Sequence, residues 1–122
     1  MEYEHTCMIR GDGGRTIRAI LDRICNKWTL LIVATLDGGT LRFTELQQQI
    51  PGISQRMLTL TLRNLERDGL VSRTVFAEVP PRVEYALTPT GRSLIPPALT
   101  LANWAITNVP AIEASRAAYE QR

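Results

Sequence analysis

The chain has one histidine, His5, and two cysteines, Cys7 and Cys25, among its 122 residues. Neither cysteine belongs to a CxxC pair, so a disulfide framework is excluded and a closed zinc site is short of standard ligands. The expected complement of cofactors and metals is therefore none. No apolar run approaches the roughly 18 residues that cross a bilayer. The opening stretch MEYEHTCMIRGDGGR is acidic, basic and glycine-rich where a secretory signal needs an apolar segment. These absences predict a cytoplasmic protein with no membrane partner. No GxSxG, HExxH or GxxxxGK[ST] occurs, the carboxylates show no paired arrangement, and the single histidine lies in a terminal arm. The expectation is that the protein is not an enzyme.

Lysine is also nearly missing. Of the 14 cationic residues all but Lys27 are arginine, a bias that suits forked recognition of phosphate or guanine. The net charge of +2 is unevenly spread: residues 54–82 carry five basic and three acidic side chains, and basic and acidic residues balance on either side. With 44% apolar and 21% charged residues, the composition is that of a globular protein, and the length suits one domain. No internal repeat or low-complexity linker divides it. We expect a flexible arm over 1–14, one domain over 15–108 and a helical extension over 109–122.

Ile17, Ile20, Leu21 and Ile24 recur at helical spacing in RTIRAILDRIC, predicting a first helix with one buried stripe. Asn26 is a suitable N-cap for KWTLLIVATL, which is apolar nearly all round and reads as the central core helix. After the extended Thr40, Leu41 and Arg42, the stretch FTELQQQI places Phe43, Leu46 and Ile50 on one face, with Glu45 in its first turn. It stops before Pro51-Gly52. Ser54 then caps QRMLTLTLRNLERD, which Gly69 closes. From Leu70 the period changes to two: LVSRTVF and VEYALT flank AEVPPR and read as a hairpin with a proline-stiffened tip. Thr88-Pro89 starts a further helix, which Pro96 and Pro97 should kink or divide, and Pro110 opens a last short segment. The predicted fold class is mainly α with a small β-hairpin wing (α+β), a winged helix-turn-helix with N- and C-terminal dimerisation helices.

The helix after Ser54 carries the chemistry. Advancing about 100° per residue from Ser54 places Met57, Leu58, Leu60, Leu62 and Leu65 on one arc, predicted to be buried. Gln55, Arg56, Thr59, Arg63, Glu66 and Arg67 fill the opposite one, and the first two turns contain no acid. A recognition helix enters the major groove N-terminal end first. Ser54, Gln55, Arg56 and Thr59 are thus placed for the DNA, with Arg63 in reach of bases or phosphates. Pro80 and Pro81 would present Arg82 from the wing, residues 77–82, to a flanking phosphate or minor groove. Arg42 and Thr44, and more weakly Lys27, are candidates for phosphate contact, with helix capping or plain exposure as the alternatives.

At KWTLLIVATL, LRFTELQQQIPGISQRMLTLTLRNLERDGLVSR and VPPRVEYALTPTGRSL the sequence closely resembles the MarR-like HxlR family of winged-helix transcriptional regulators, over about residues 15–108. The resemblance implies a prokaryotic homodimer that binds an inverted repeat on double-stranded DNA. It also admits control by a small-molecule effector, an electrophile or an oxidant. Many members carry a cysteine about a dozen residues before the Lys-Trp pair, where this chain has a residue near Arg15. Cys7 and Cys25 are the remaining candidates for redox sensing, and Cys25, beside the apolar stripe, reads as a packed small hydrophobe. Ile17, Ile20, Leu21 and Ile24, with Leu94, Leu101, Trp104 and Ala105, are the expected dimer surface, and an effector pocket would lie between these helices and the DNA-binding half. The rival reading is a winged-helix module that binds protein without specific DNA binding.

Overall fold

The computed structural model describes residues 9–122, so Cys7 and His5 lie outside the described residues. A 3-10 turn, Asp12–Gly14, leads into α1, Arg15–Ile24. Arg18 Nη1 donates to the carbonyls of Ile9 and Gly11, at 2.5 and 2.8 Å, which ties residues 9–11 of the expected arm to α1. α2, Lys27–Leu36, starts where Asn26 Oδ1 accepts from Thr29 N at 2.9 Å. β1, Leu41–Arg42, is followed at once by α3, Phe43–Gln49. Glu45 acts on this junction by accepting from Arg42 N at 2.8 Å, which satisfies a backbone donor that the helix itself leaves unpaired.

α4, Gln55–Arg67, opens with Ser54 Oγ accepting from Met57 N at 3.0 Å. The hairpin is β2, Val71–Phe76, and β3, Arg82–Leu87, paired antiparallel from Val71 opposite Leu87 to Phe76 opposite Arg82. β1 adds to it through Leu41 opposite Tyr85, giving a three-stranded sheet in the order β1-β3-β2. The core lies between this sheet and three helices: Ile32, Val33 and Leu36 from α2, Leu46 from α3, and Leu58, Leu62 and Leu65 from α4 meet Val71 and Leu87. Burial of these side chains, at roughly 25 cal/mol per Å² of apolar surface, is the main stabilising term.

Four sequence expectations are corrected. α1 buries none of its residues: among the described residues its stripe is covered only in part, with Ile17, Leu21 and Ile24 half-buried and Ile20 53% exposed. Thr61 replaces Leu60 in the buried arc of α4: its hydroxyl donates to Met57 O at 2.7 Å and enters the core satisfied, while Leu60, at the edge of the arc, is left exposed. α2 is buried on one side only, with Leu31 and Ala34 exposed, so it borders the core instead of being enclosed by it. Pro110 opens no new segment. α5, Pro89–Arg92, stops short of Pro96, and α6 then runs unbroken from Ile95 to Glu120 through Pro110. Proline at the start of α6 removes only donors that have no partner there, and Pro110 removes one internal bond from a helix whose following stretch, AIEASRAA, is rich in alanine, the best helix former.

Candidate nucleic-acid interface

α3 and α4 are joined by a turn at Pro51–Ile53 in which Gly52 has φ +85°, a left-handed conformation that disfavours any residue with a Cβ. A glycine here lets α4 leave α3 sharply and face outward. Gln55 and Arg56 are exposed in the first turn of α4, Arg63 is exposed two turns later, and Thr59 lies half-buried between them with its hydroxyl donating to Gln55 O at 2.8 Å. Gln55, Arg56, Thr59, Leu60 and Arg63 border one open concavity of about 590 Å³. Ser54 is engaged as the cap.

A second concavity, of about 350 Å³, lies between α4 and the sheet and is bordered by Phe43, Thr59, Arg63, Glu66, Arg73 and Tyr85. It brings in Arg73, which sequence reasoning missed. The signal was the strand's period of two: Arg73 has the parity of buried Val71 but lies one pair further from the core, opposite Tyr85, so it emerges beside α4. Among the described residues Arg56, Arg63 and Arg73 have no ion-pair partner.

Arg82 departs from its expected place. Its Nε is 3.3 Å from Glu78 and 3.5 Å from Glu84, and its guanidinium lies 4.0 Å over the Phe76 ring. It is the first residue of β3, opposite Phe76, so the cross-strand ring and the two nearby acids capture it. The wing tip therefore does not present Arg82 outward. Lys27 is folded over its neighbour Trp28, 4.6 Å from the ring centroid. Arg42 and Thr44 are exposed at the start of α3. Asp68, beyond the end of α4, is 3.4 Å from Arg23 of α1, away from the first turns of α4.

The remaining candidates fall outside this face. Cys25 is exposed just after α1, contrary to the packed role expected of it, because the chain turns there toward Asn26. Leu94 is half-buried against the core, whereas Leu101, Trp104 and Ala105 are exposed, and α6 buries none of its residues. An apolar groove of about 320 Å³ between α2 and α6 is bordered by Leu30, Leu31, Ala34, Leu99, Leu101 and neighbouring alanines. It has no charged group on its walls. Among the described residues no helix is long and apolar enough to cross a membrane.

A helix-turn-helix backed by a three-stranded wing, with an arginine-bearing outward helix, defines the class: a winged helix-turn-helix transcriptional regulator. The HxlR-like helix-turn-helix family matches residues 23–113, and the chain belongs to that family. It is 49% identical over 89 residues to an uncharacterized HTH-type transcriptional regulator of Methanothermobacter thermautotrophicus, covering 73% of this chain and 68% of that protein. It is 39% identical over 99 residues to the HTH-type regulator YtfH of Escherichia coli, covering 81% and 79%. Among solved structures it is similar to the redox regulator HypR in its reduced form, with a TM-score of 0.73, 42% identity, and coverage of 81% of this chain and 98% of that one.

Proposed function

We propose that this protein is a sequence-specific DNA-binding regulator that acts as a homodimer on an inverted repeat, with α4 in the major groove and the wing over flanking DNA. The observation that carries this reading is the start of α4, where Gln55 and Arg56 are exposed, the first two turns contain no acid, and Arg56 and Arg63 have no ion pair among the described residues. The partly covered stripe of α1 and the exposed apolar side chains of α6 pack against a second copy, and two-fold symmetry spaces the half-sites by about one helical turn or a multiple of it. Fluorescence anisotropy against DNA from upstream of the gene, with a shuffled control, tests the reading. Preference for the native fragment by ~10³-fold or more, weakening steeply with salt, is expected. Equal affinity for both fragments, or binding insensitive to salt, overturns it.

Arg56 has the position of a base reader. Arg56→Ala is expected to cost about 1–3 kcal/mol on the operator and to relax preference at one base position. Measured across a panel of single-base operator variants, uniform weakening would instead assign Arg56 to the phosphate backbone. For the wing, we assign phosphate contact to Arg73 in place of Arg82. Arg73→Ala should weaken every duplex alike and lower the log–log salt slope by about 1, while Arg82→Ala leaves the slope unchanged. The opposite pattern in a salt titration returns the contact to Arg82.

A further inference from the structure

Leu60 is 52% exposed on α4, although a leucine there ordinarily belongs to the core. Single exposed leucines are common on protein surfaces and need no function. Its surroundings set this one apart. It borders the same concavity as Gln55, Arg56, Thr59 and Arg63, with Arg56 one turn before it and Arg63 one turn after it. It is the only aliphatic side chain among the residues bordering that concavity, too small a patch to hold an apolar protein surface.

We propose that Leu60 is a specificity residue that packs against the C5-methyl group of a thymine, an inference that rests on the DNA-binding reading above. Thymine is the standard base that offers an apolar group in the major groove; the other edges there present donors and acceptors. A leucine pressed against a cytosine amino group or an adenine edge removes water from a polar group and returns no hydrogen bond, which is unfavourable. Against a methyl group the same contact buries apolar surface on both sides. The flanking arginines hold the helix in register by phosphate or guanine contacts, so the leucine meets one defined base step in each half-site.

The test uses duplexes enriched by the protein from a random-sequence pool, then remade with deoxyuridine for thymidine. That exchange removes the methyl groups and keeps every hydrogen-bonding edge. Wild-type protein should bind the uracil duplex about fourfold more weakly for each half-site contact, the worth of one buried methyl group. Leu60→Ala should bind both duplexes alike, and its core should be intact because Leu60 is exposed. Selection with Leu60→Gln should move the consensus at one position in each half-site from thymine to adenine, which glutamine can engage through N6 and N7. Equal binding of both duplexes by the wild type overturns the proposal, and so does a thymine preference that survives in Leu60→Ala. Failure of the pool to enrich any sequence overturns the DNA-binding reading itself.

Discussion

Gly91→Ala is expected to lower the melting temperature by about 10 °C, close to 3 kcal/mol for a domain of this size. A Cβ on Gly91 would lie 2.1 Å from the Leu70 carbonyl oxygen, 3.0 Å from its carbon and 3.2 Å from Leu87 Cδ2. The first two are backbone atoms, which no rotamer change can move aside. The Leu70 carbonyl is also the acceptor for Thr88 N at 3.0 Å, while Thr88 Oγ1 donates to Gly69 O at 2.6 Å and accepts from Gly91 N at 3.0 Å. Displacing Leu70 therefore strains the seam that joins the end of α4, the base of the wing and α5. Gly38→Ala is the control, since its Cβ would meet only the Thr35 carbonyl oxygen at 3.7 Å. Its melting temperature should move by no more than an ordinary surface change allows, within about 0.5 kcal/mol. Thermal denaturation followed by circular dichroism decides the matter. Equal shifts for the two variants would mean that Leu70 yields freely and that the seam is not rigid.

Trp104→Glu is expected to convert a dimer of twice 13.7 kDa into a monomer. Trp104 is 59% exposed, Leu99, Leu101 and Ile106 are exposed with it, and no residue of the 26-residue α6 is buried. An isolated helix with so apolar a surface is poorly supported by water, and in the proposed dimer a second copy supplies the missing apolar contact. A carboxylate placed in that contact must lose its hydration without a partner. In the proposed dimer the second half-site is held by linkage through the interface, so operator affinity should fall by about 10² to 10⁴. Sedimentation equilibrium reads the mass, and anisotropy reads the affinity. A wild-type protein that sediments as one protomer, or a variant that remains paired, would remove α6 from the interface.

The two expectations differ in where their causes lie. Gly91 acts within one chain, and nothing in the local sequence Thr88-Pro89-Thr90-Gly91 distinguishes its role from that of any glycine in a first helical turn. Trp104 was legible in part: an apolar surplus in residues 94–109 shows in the sequence, and the structure leaves most of that surplus uncovered. α1 follows the same course. Its stripe is as regular as a buried one, but periodicity reports which face is apolar and is silent on what covers it.

The DNA-facing helix shows the same division at finer scale. Its start, its polar face and the order of its arginines were readable because a cap and an angle of rotation are local properties. Leu60, expected in the buried arc, is exposed because rotation alone does not say how wide a neighbouring surface is. A hydroxyl that bonds its own helix, as Thr61 does to Met57 at 2.7 Å, can take a place that a leucine would be expected to fill. Arg82 looked free in sequence because Pro80 and Pro81 adjoin it. Phe76 and Glu84 reach it across or along the sheet, and Glu78 from the start of the tip, a set of neighbours that strand pairing fixes.

What the sequence by itself determined is most of the elements: the helices capped by Asn26, Ser54 and Thr88, the turn through Pro51 and Gly52, the two wing strands and the family resemblance they carry. Each depends on residues three or four apart, or on alternation along one strand. Only the tertiary structure decided which charges and apolar faces remain available. It engaged Arg82 with two acids, brought Arg73 beside Arg63, exposed Leu60, covered the stripe of α1 only in part and left Leu99, Leu101, Trp104 and Ile106 of α6 exposed. Ion pairing, burial and close approach depend on neighbours distant in the chain, and their positions follow from how the elements pack, which local pattern does not encode.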